Sequence, residues 1–230
     1  MSKISISKSV IKRLPIYLRI LDQLIERDIE LVSSKQMSKE SGFTAEQIRK
    51  DLAYFGAFGT RGAGYTTSFL RDKIINIIGL DKTINTVIFG AGHLGTAFTR
   101  YNAAKNPYIN VAAVFDRDSR LVGKKIDDIR IYPIDEAAEF LEQNRIKVAI
   151  IAVPAGDAQG VADLITAHGV VAILNFAPIK LKVPPGVYVH NADLTLELQS
   201  IIYYSSEEEE RKKRLRKENG KDKSSKLLIE

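Results

Sequence analysis

The sequence of 230 residues contains no cysteine. This absence excludes a disulfide scaffold, a thiolate metal site, a cysteine nucleophile and a thiol-based redox switch. Long apolar runs are also missing, since stretches such as 148–153 and 170–174 fall far short of the ~20 residues that a membrane span needs. Met1 is followed by polar, mixed sequence without the pattern of a signal peptide. We therefore expect a soluble cytoplasmic protein without a membrane partner.

Charge is present but unevenly distributed. Residues 1–73 hold 13 Lys and Arg against 8 Asp and Glu, which gives +5 of the total net charge of +6. Residues 74–204 carry −1 and residues 205–230 carry +2. A basic N-terminal third on a nearly neutral body indicates a polyanionic partner for that third.

The first third of the chain has the spacing of helices. Apolar residues from Val10 to Ile25 recur at intervals of three and four, which places them on one helical face. Pro15 interrupts the pattern and predicts that the main helix starts or kinks there. A second helix is predicted over 35–41, and Gly42 ends it as a left-handed cap.

A helix-turn-helix module follows from the next segment. Thr44 caps the predicted third helix, and a Gln three residues later completes a capping box. Glutamine, arginine and lysine near the N-terminus of such a helix contact base edges and phosphates. The buried face is predicted to hold Ile48, Leu52 and Phe55. The predicted DNA-contacting residues are Gln47, Arg49, Lys50 and Tyr54.

A glycine-rich segment then extends over 56–65, with four glycines and one arginine, Arg61. This composition predicts a hairpin wing that carries Arg61 toward DNA, in a minor groove. The alternative is a small helical dimerisation bundle with a basic, solvated face. The wing favours the DNA-binding interpretation.

The middle of the chain alternates between two patterns. Short apolar runs rich in β-branched residues predict buried parallel strands, and helical patterns lie between them. This alternation is typical of a doubly wound α/β domain. The predicted strands are 86–90, 111–116, 148–153 and 170–176. The predicted helices are 94–104, 134–144 and 158–168.

A glycine-rich turn joins the first predicted strand to the first of these helices. The first glycine permits a tight turn, the second lets the backbone approach a pyrophosphate, and the third allows close helix–strand packing. The free N–H groups of the helix N-terminus favour an anion. A turn that binds nothing is the alternative. The turn comprises Gly90, Ala91, Gly92, His93, Leu94 and Gly95.

Asp116 ends the next predicted strand, at the position where a carboxylate accepts hydrogen bonds from both ribose hydroxyls. The same carboxylate repels a 2′-phosphate and so favours NAD(H) over NADP(H). Arg117 and Arg120 weaken that preference. The three histidines, His93, His168 and His190, have no metal-ligand spacing, so no metal is expected.

Together these residues resemble the Rex family of redox-sensing transcriptional repressors. The resemblance extends from residue 1 to about residue 205. It implies a homodimer that binds palindromic operator DNA and is released when NADH binds, with NAD⁺ competing for the same site. It implies no catalytic residues. The matching stretches are 17–21, 48–52, 54–65, 90–95, 175–178 and 191–193.

The resemblance also assigns roles to residues outside the glycine turn. Val153 and Pro154, together with Phe176 and Ala177, are expected near the nicotinamide half of the dinucleotide, and Arg117 beside Asp116. Three further residues are expected to link the cofactor site to subunit geometry: Arg19, Tyr101 and Asp193.

The expected architecture is an α/β protein with a winged helix-turn-helix domain over 1–80 and a Rossmann-like doubly wound parallel sheet over 81–192. A helix over 193–206 is exchanged between subunits, and a charged, disordered tail follows over 207–230. An NAD-dependent dehydrogenase with a helical dimerisation domain is the main alternative. A domain that binds coenzyme A or another nucleotide without a redox role is the second.

Overall fold

The computed structural model describes residues 6–56, 58–59 and 64–226, and the chain divides into two units between Ile84 and Asn85. The first unit contains four helices and a two-stranded sheet within its described residues. Its elements are α1 (Lys8–Glu26), β1 (Leu31–Val32), α2 (Ser34–Ser41), α3 (Ala45–Ala53), β2 (Tyr65–Thr66) and α4 (Thr67–Ile78).

Helix α1 shows that the predicted start at Pro15 is wrong. The helix begins at Lys8, capped by the Ser7 side chain, and Pro15 lies inside it on the exposed side. Proline in a helix interior costs ~3 kcal/mol through the lost hydrogen bond and ring clash. The continuous buried face outweighs that cost, since its apolar residues lie on both sides of Pro15. The buried residues are Val10, Leu14, Tyr17, Leu18, Ile20, Leu21 and Leu24.

Helices α2 and α3 form the predicted helix-turn-helix. Ser33 and Gln36 make a reciprocal capping box at the start of α2. Gly42 ends that helix with φ of 74°, a left-handed conformation that glycine adopts without strain. The Thr44 side chain accepts a hydrogen bond from the Gln47 amide at 3.1 Å and so caps α3.

Strands β1 and β2 pair antiparallel, with Leu31 opposite Thr66 and Val32 opposite Tyr65. Gly64 precedes β2 with φ of +94°, and a Cβ there would lie 2.6 Å from the Val32 carbonyl oxygen. This close approach explains one glycine of the predicted wing. Other wing residues, Arg61 among them, lie outside the described part of the chain.

The second unit is built on a seven-stranded sheet in the order β5-β6-β4-β3-β7-β8-β9. Its elements are β3 (Ile84–Phe89), α5 (His93–Lys105), β4 (Ile109–Asp116), β5 (Lys125–Ile126), β6 (Ile129–Pro133), a 3-10 turn (Ile134–Glu136), α6 (Ala137–Gln143), β7 (Val148–Ile151), α7 (Ala155–Ala167), β8 (Ala172–Asn175), β9 (Tyr188–Asn191) and α8 (Leu194–Lys226).

The strand order is that of a Rossmann-like sheet with one added edge strand. From β6 to β9 the order follows the six-strand pattern 3-2-1-4-5-6, in which the chain reverses direction of winding between β3 and β7. Strand β5 pairs antiparallel with β6, whereas β4 with β6, β3 with β7, β7 with β8 and β8 with β9 are parallel. Ligands bind such sheets at the carboxyl ends of the strands beside this reversal.

Alternate residues of the central strands enter two separate cores. Val87 and Phe89 of β3 lie in the core that packs against α6 and α7, as do Phe115 and Ile151 of neighbouring strands. Ile88 lies in the other core, on the side where Phe98 of α5 packs. Both faces of the sheet are therefore covered, which confirms the doubly wound α/β prediction.

Helix α8 corrects the prediction for the tail. The helix continues from Leu194 to Lys226, whereas the sequence predicted an end at residue 206 and disorder beyond it. Glu208 pairs with Arg211 and Lys212, three and four positions along the helix. Glutamate, lysine and arginine have high helix propensity, and pairs at this spacing stabilise a helix without a packed face.

The first half of α8 carries a long row of apolar side chains that are largely exposed. Each of them is more than half exposed. An exposed apolar row of this size marks an interaction surface. Its members are Leu194, Leu196, Leu198, Ile201, Ile202, Tyr203 and Tyr204.

Candidate dinucleotide and nucleic-acid sites

The glycine turn connects β3 to α5. Gly90 has φ of +106°, and a Cβ there would lie 2.5 Å from the Ala152 carbonyl oxygen. A Cβ on Gly95 would overlap the carbonyl oxygen of Gly90. A Cβ on Gly92 would meet no atom within 4 Å beyond its chain neighbours. Gly90 and Gly95 therefore shape the turn, whereas Gly92 borders open space.

The N-terminus of α5 adjoins that space. Gly92 is the N-cap residue, and no side chain accepts a hydrogen bond there. The first N–H groups of a helix have no partner within the helix and carry partial positive charge, which suits a pyrophosphate. His93 and Leu94 lie exposed on this first turn.

Asp116, at the end of β4, is bonded to the glycine turn. Its Oδ2 accepts from the Ala91 amide at 2.6 Å, and its Oδ1 accepts from the Asp118 amide at 2.8 Å. Each carboxylate oxygen has a further lone pair and can still accept from a ribose hydroxyl. The carboxylate therefore holds the turn in shape and remains a possible sugar ligand.

A cavity of about 460 Å³ lies beside the turn. It is bordered by apolar residues from several elements, among them Leu121, Ile134 and Val161, which suit a flat aromatic base. It brings together six of the predicted cofactor residues: Gly90, Gly92, Asp116, Arg117, Val153 and Pro154.

Both arginines that follow β4 are held by carboxylates. Arg117 Nη1 pairs with Asp157 Oδ1 in the first turn of α7. Arg120 donates to both carboxylate oxygens of Asp118, with Nη2 at 2.8 Å from Oδ2. The hydrogen bonds from Arg120 lower the pKa of Asp118 to about 2. Sequence reasoning missed Asp157, which lies forty positions from Arg117.

Phe176 and Ala177 follow β8, but they do not border this cavity. Phe176 packs edge-on against Phe98, with ring centroids 5.7 Å apart. The Ala177 amide donates to Oδ1 of Asn175, which is fully buried. The Asn175 side-chain amide donates to the carbonyls of Ala177 and Ile179 and to Asn191. Asn175 thus fixes the turn that carries Phe176.

The predicted DNA-contacting residues of α3 differ in their surroundings. Arg49 is exposed and donates to the Ser34 hydroxyl at 3.0 Å, and Lys50 is exposed and pairs with Glu46 at 2.8 Å. Tyr54 follows the helix and is 46% exposed. Gln47 is half-buried, and its side chain turns inward.

The cause of the Gln47 orientation is a buried carboxylate. Asp51 is fully buried, and its Oδ1 accepts a hydrogen bond from the side-chain Nε2 of Gln47 at 2.7 Å. The sequence had predicted that this side chain would instead complete a capping box with Thr44. Arg13 donates to both Asp51 oxygens at 2.6 and 2.7 Å, and the Tyr17 hydroxyl donates at 2.7 Å. A buried carboxylate that lacks hydrogen-bond donors costs more free energy than the loss of a capping hydrogen bond at the surface. The Gln47 side chain therefore donates to Asp51.

This network also determines the protonation states of Asp51 and Tyr17. Burial alone would raise the pKa of Asp51, but the hydrogen bonds from Arg13, Tyr17 and Gln47 outweigh it and hold that pKa below its usual range. Burial and the bond to Asp51 raise the pKa of Tyr17 far above its usual value. Asp51 is therefore a carboxylate at neutral pH and ties α3 to α1.

The two units match two described families. Residues 5–53 match the family described as "Putative DNA-binding protein N-terminus". Residues 81–179 match the family described as "CoA binding domain". The first match covers α1, α2 and α3, and the second covers the sheet from β3 to β8.

Curated relatives match most of the chain. It is 57% identical to the redox-sensing transcriptional repressor Rex of Natranaerobius thermophilus over 195 residues, 85% of this chain and 89% of the relative. The chain belongs to the Rex family. The Rex of Clostridium tetani is 44% identical over 201 residues, 87% of this chain and 95% of the relative. These relatives are transcriptional repressors.

Two solved structures of a Rex-family repressor named RSP share the fold. RSP in complex with β-NAD⁺ and operator DNA has a TM-score of 0.84 and 41% identity, covering 92% of this chain and 97% of that one. RSP in complex with β-NADH has a TM-score of 0.81 and 39% identity, covering 92% and 99%. The winged-helix and Rossmann-like prediction is thereby confirmed.

The three residues expected to link cofactor site and subunit geometry in Rex proteins lie on different elements. Arg19 is exposed on α1, in the first unit. Tyr101 is 64% exposed on α5, in the second. Asp193 precedes α8, and its Oδ1 accepts from the amides of Thr195 and Leu196 at 3.0 and 3.2 Å. Asp193 therefore caps α8, a role that the sequence did not predict.

Two further observations concern the described residues of this Rex-family chain. No group of three or more His, Cys, Asp or Glu side chains among them is arranged to hold a metal ion. Within the same residues, no helix combines the length and apolar character that a bilayer crossing requires.

Proposed function

We propose that this Rex-family chain is a repressor that binds palindromic operator DNA and releases it when NADH occupies the second unit. The observation that carries the proposal is the presence in one chain of a helix-turn-helix with exposed Arg49 and Lys50 and a glycine turn with Asp116. The complexes of RSP with β-NAD⁺ and operator DNA and with β-NADH support it.

The dinucleotide fits the site by its chemistry. Gly92 and the uncapped start of α5 offer space and N–H donors to a pyrophosphate, and Asp116 offers an acceptor to a ribose diol. Val153 and Pro154 border the same cavity. We place the nicotinamide near Phe176, where apolar surroundings suit the neutral reduced ring better than the cationic oxidised ring.

A homodimer is the second part of the proposal. The exposed apolar row on α8, from Leu194 to Tyr204, needs a partner, and a second copy that receives this helix would bury it. A dimer also matches the two-fold symmetry of a palindromic operator. We propose domain limits of 1–80 and 81–192, with the exchanged part of α8 over 193–206.

We also propose that the protein is a cytoplasmic regulator and not an enzyme. A dehydrogenase needs a proton donor or acceptor beside the nicotinamide. Phe98, which packs against Phe176 at the place that we propose for the nicotinamide, carries no such group, and the curated relatives are transcriptional repressors. Residues 81–179 are similar to a family described as "CoA binding domain", but Asp116 favours a ribose without phosphate.

One titration tests this function. Binding of the full chain to a palindromic DNA fragment is measured with NAD⁺, with NADH and with neither, and NADH oxidation is followed in parallel. We expect tight binding without NADH, marked weakening with it, and no turnover. DNA binding that ignores NADH, or steady turnover with a small-molecule substrate, would contradict the proposal.

The recognition helix makes a separate prediction. Arg49→Ala or Lys50→Ala is expected to weaken DNA binding by about 1–3 kcal/mol if the residue contacts a base, with a changed sequence preference. A phosphate contact would instead make the salt dependence shallower. The measurement is the DNA dissociation constant at several salt concentrations. Lys125→Ala removes the same charge from strand β5 and is the control. Unchanged binding in the double variant would exclude α3 from the interface.

The predicted coupling through Asp193 requires a variant that keeps its cap on α8. Asp193→Ala removes the cap as well as the charge, and loss of a cap costs about 0.5–2 kcal/mol. Asp193→Asn keeps a capping oxygen and removes only the charge. We expect Asp193 to pair with Arg19 across the dimer. Loss of this shielded charge-assisted hydrogen bond, roughly 1.5–3 kcal/mol, is expected to reduce the effect of NADH on DNA binding about tenfold or more.

The observable is the ratio of DNA dissociation constants with and without saturating NADH. Glu197→Gln neutralises a carboxylate in the first turn of the same helix and is the matched control. We expect Asp193→Asn to bind NADH with measurable affinity while its ratio falls. Ratios equal to wild type in Arg19→Ala, Tyr101→Phe and Asp193→Asn alike would remove these residues from the coupling.

A further inference from the structure

The charged residues around the ribose end of the cavity bear on the choice between NAD(H) and NADP(H). Asp116 is the carboxylate expected to contact the ribose, and Arg117 directly follows it at the cavity wall. In related sheets an arginine at this place binds the 2′-phosphate of NADP(H). Arg117 is 69% exposed, so its side chain has room to reorient. Its partners therefore decide whether the site accepts a 2′-phosphate.

The structure gives Arg117 a definite partner. Its guanidinium pairs with Oδ1 of Asp157, which borders the same cavity from the first turn of α7. Asp157 is the less exposed member of the pair, at 29%, and its helix fixes its position. The second arginine of this loop, Arg120, is bonded to both oxygens of Asp118. Each of the two guanidinium groups is therefore paired with a carboxylate.

The local balance of charge is consequently negative. Three carboxylates, those of Asp116, Asp118 and Asp157, border the cavity, whereas only two guanidinium groups pair with them. The Asp116 oxygens accept backbone N–H groups, and among the described residues Asp116 forms no ion pair with a Lys or Arg. Like charges at close range repel, and this effect is strongest where solvent screening is reduced.

We propose that Asp157 is a specificity-determining residue that makes the site reject a 2′-phosphate, because it holds Arg117 in an ion pair and adds a negative charge of its own. The inference rests on the proposed binding of NADH. Asp116 alone disfavours a 2′-phosphate, but a free Arg117 would offset that repulsion. Because Asp157 pairs with Arg117, that guanidinium does not compensate the repulsion between Asp116 and a 2′-phosphate.

The test compares NADH and NADPH as ligands of the full-length protein. Dissociation constants are measured for wild type, Asp157→Ala, Arg117→Gln/Asp157→Ala and the control Asp163→Ala. Asp163 is an exposed carboxylate on the same helix that does not border the cavity. Because exposed ion pairs are individually weak, we expect Asp157→Ala to lower the NADPH-to-NADH ratio of dissociation constants about three- to tenfold.

The double variant separates the two contributions of Asp157. If Arg117 binds the phosphate once released, the added Arg117→Gln change abolishes most of the gain in NADPH affinity. A gain that persists in the double variant overturns the role of Arg117. An unchanged ratio in Asp157→Ala, or an equal change in Asp163→Ala, overturns the inference. A wild-type protein that binds neither nucleotide overturns the proposed function instead.

Discussion

Replacing Asp51 with alanine is expected to lower the free energy of unfolding of the first unit by about 3–5 kcal/mol. The substitution leaves the largely buried Arg13 without its carboxylate and removes the acceptor of Tyr17 and Gln47. A buried charge deprived of its partner costs far more than the intact pair contributes. Chemical denaturation followed by circular dichroism measures the change.

Asp22→Ala is the matched control for that experiment. Asp22 pairs with Arg71 at 2.6 Å, but both side chains are about one-third exposed. Loss of a solvated pair is expected to cost only about 0–1 kcal/mol. Equal destabilisation in the two variants would show that Asp51 is not the buried anchor of α3. The Asp51 variant is also expected to lose DNA affinity, because α3 loses its bonds to α1.

The Asp51 network also predicts a direction for pH dependence. The pKa of Asp51 is depressed in the folded protein, so the unfolded chain binds this proton more readily. Its contribution to stability is complete above the unfolded pKa of ~3.9 and is lost as the pH falls below that value. Asp51→Asn should flatten this part of the acid unfolding profile.

Gly92→Val is expected to abolish NADH binding while the protein stays folded. Its Cβ enters open space in the ligand-free protein, so the turn itself does not clash. The side chain occupies the place of the pyrophosphate and blocks the N–H donors of the turn. Loss of two charge-assisted hydrogen bonds, each about 1.5–3 kcal/mol, corresponds to a loss of affinity of more than about 100-fold.

The measurements for Gly92→Val are NADH affinity by calorimetry and DNA binding without ligand. We expect the first to disappear and the second to match wild type. Gly95→Val provides the contrast, because its Cβ overlaps the Gly90 carbonyl oxygen and should lower the stability of the second unit. A Gly92→Val protein that still releases DNA in response to NADH would place the dinucleotide elsewhere.

The parts of the fold predicted from sequence are those with a strong local signal. Strands β3, β4, β7 and β8 are buried apolar runs, and Gly42 and Gly90 occupy positions with positive φ. Strands β6 and β9 were missed because most of their residues are partly or fully exposed, so no continuous apolar run marks them. The glycine turn and Asp116 were found because their spacing along the chain is itself the signal.

What the sequence did not reveal depends on contacts between distant residues. Arg13 and Asp51 lie 38 positions apart, and Arg117 and Asp157 lie 40 apart. A charged residue in sequence does not show whether it will be buried or which partner it will meet. The Gln47 side chain has two candidate partners, the backbone N–H of the N-cap residue Thr44 and the carboxylate of Asp51. The burial of Asp51 decides between them.

The bond from the Ala91 amide to Asp116 has a consequence for signalling. It orders the glycine turn before any ligand arrives, so the adenosine end of the site acts as a preformed anchor. NAD⁺ and NADH are identical at that end, and a contact made equally with both cannot distinguish them. A ligand with equal affinity for two conformations shifts neither, however tightly it binds. This half of the site therefore contributes binding affinity, and the redox state must be sensed at the opposite half, where we propose that the nicotinamide lies near Phe176.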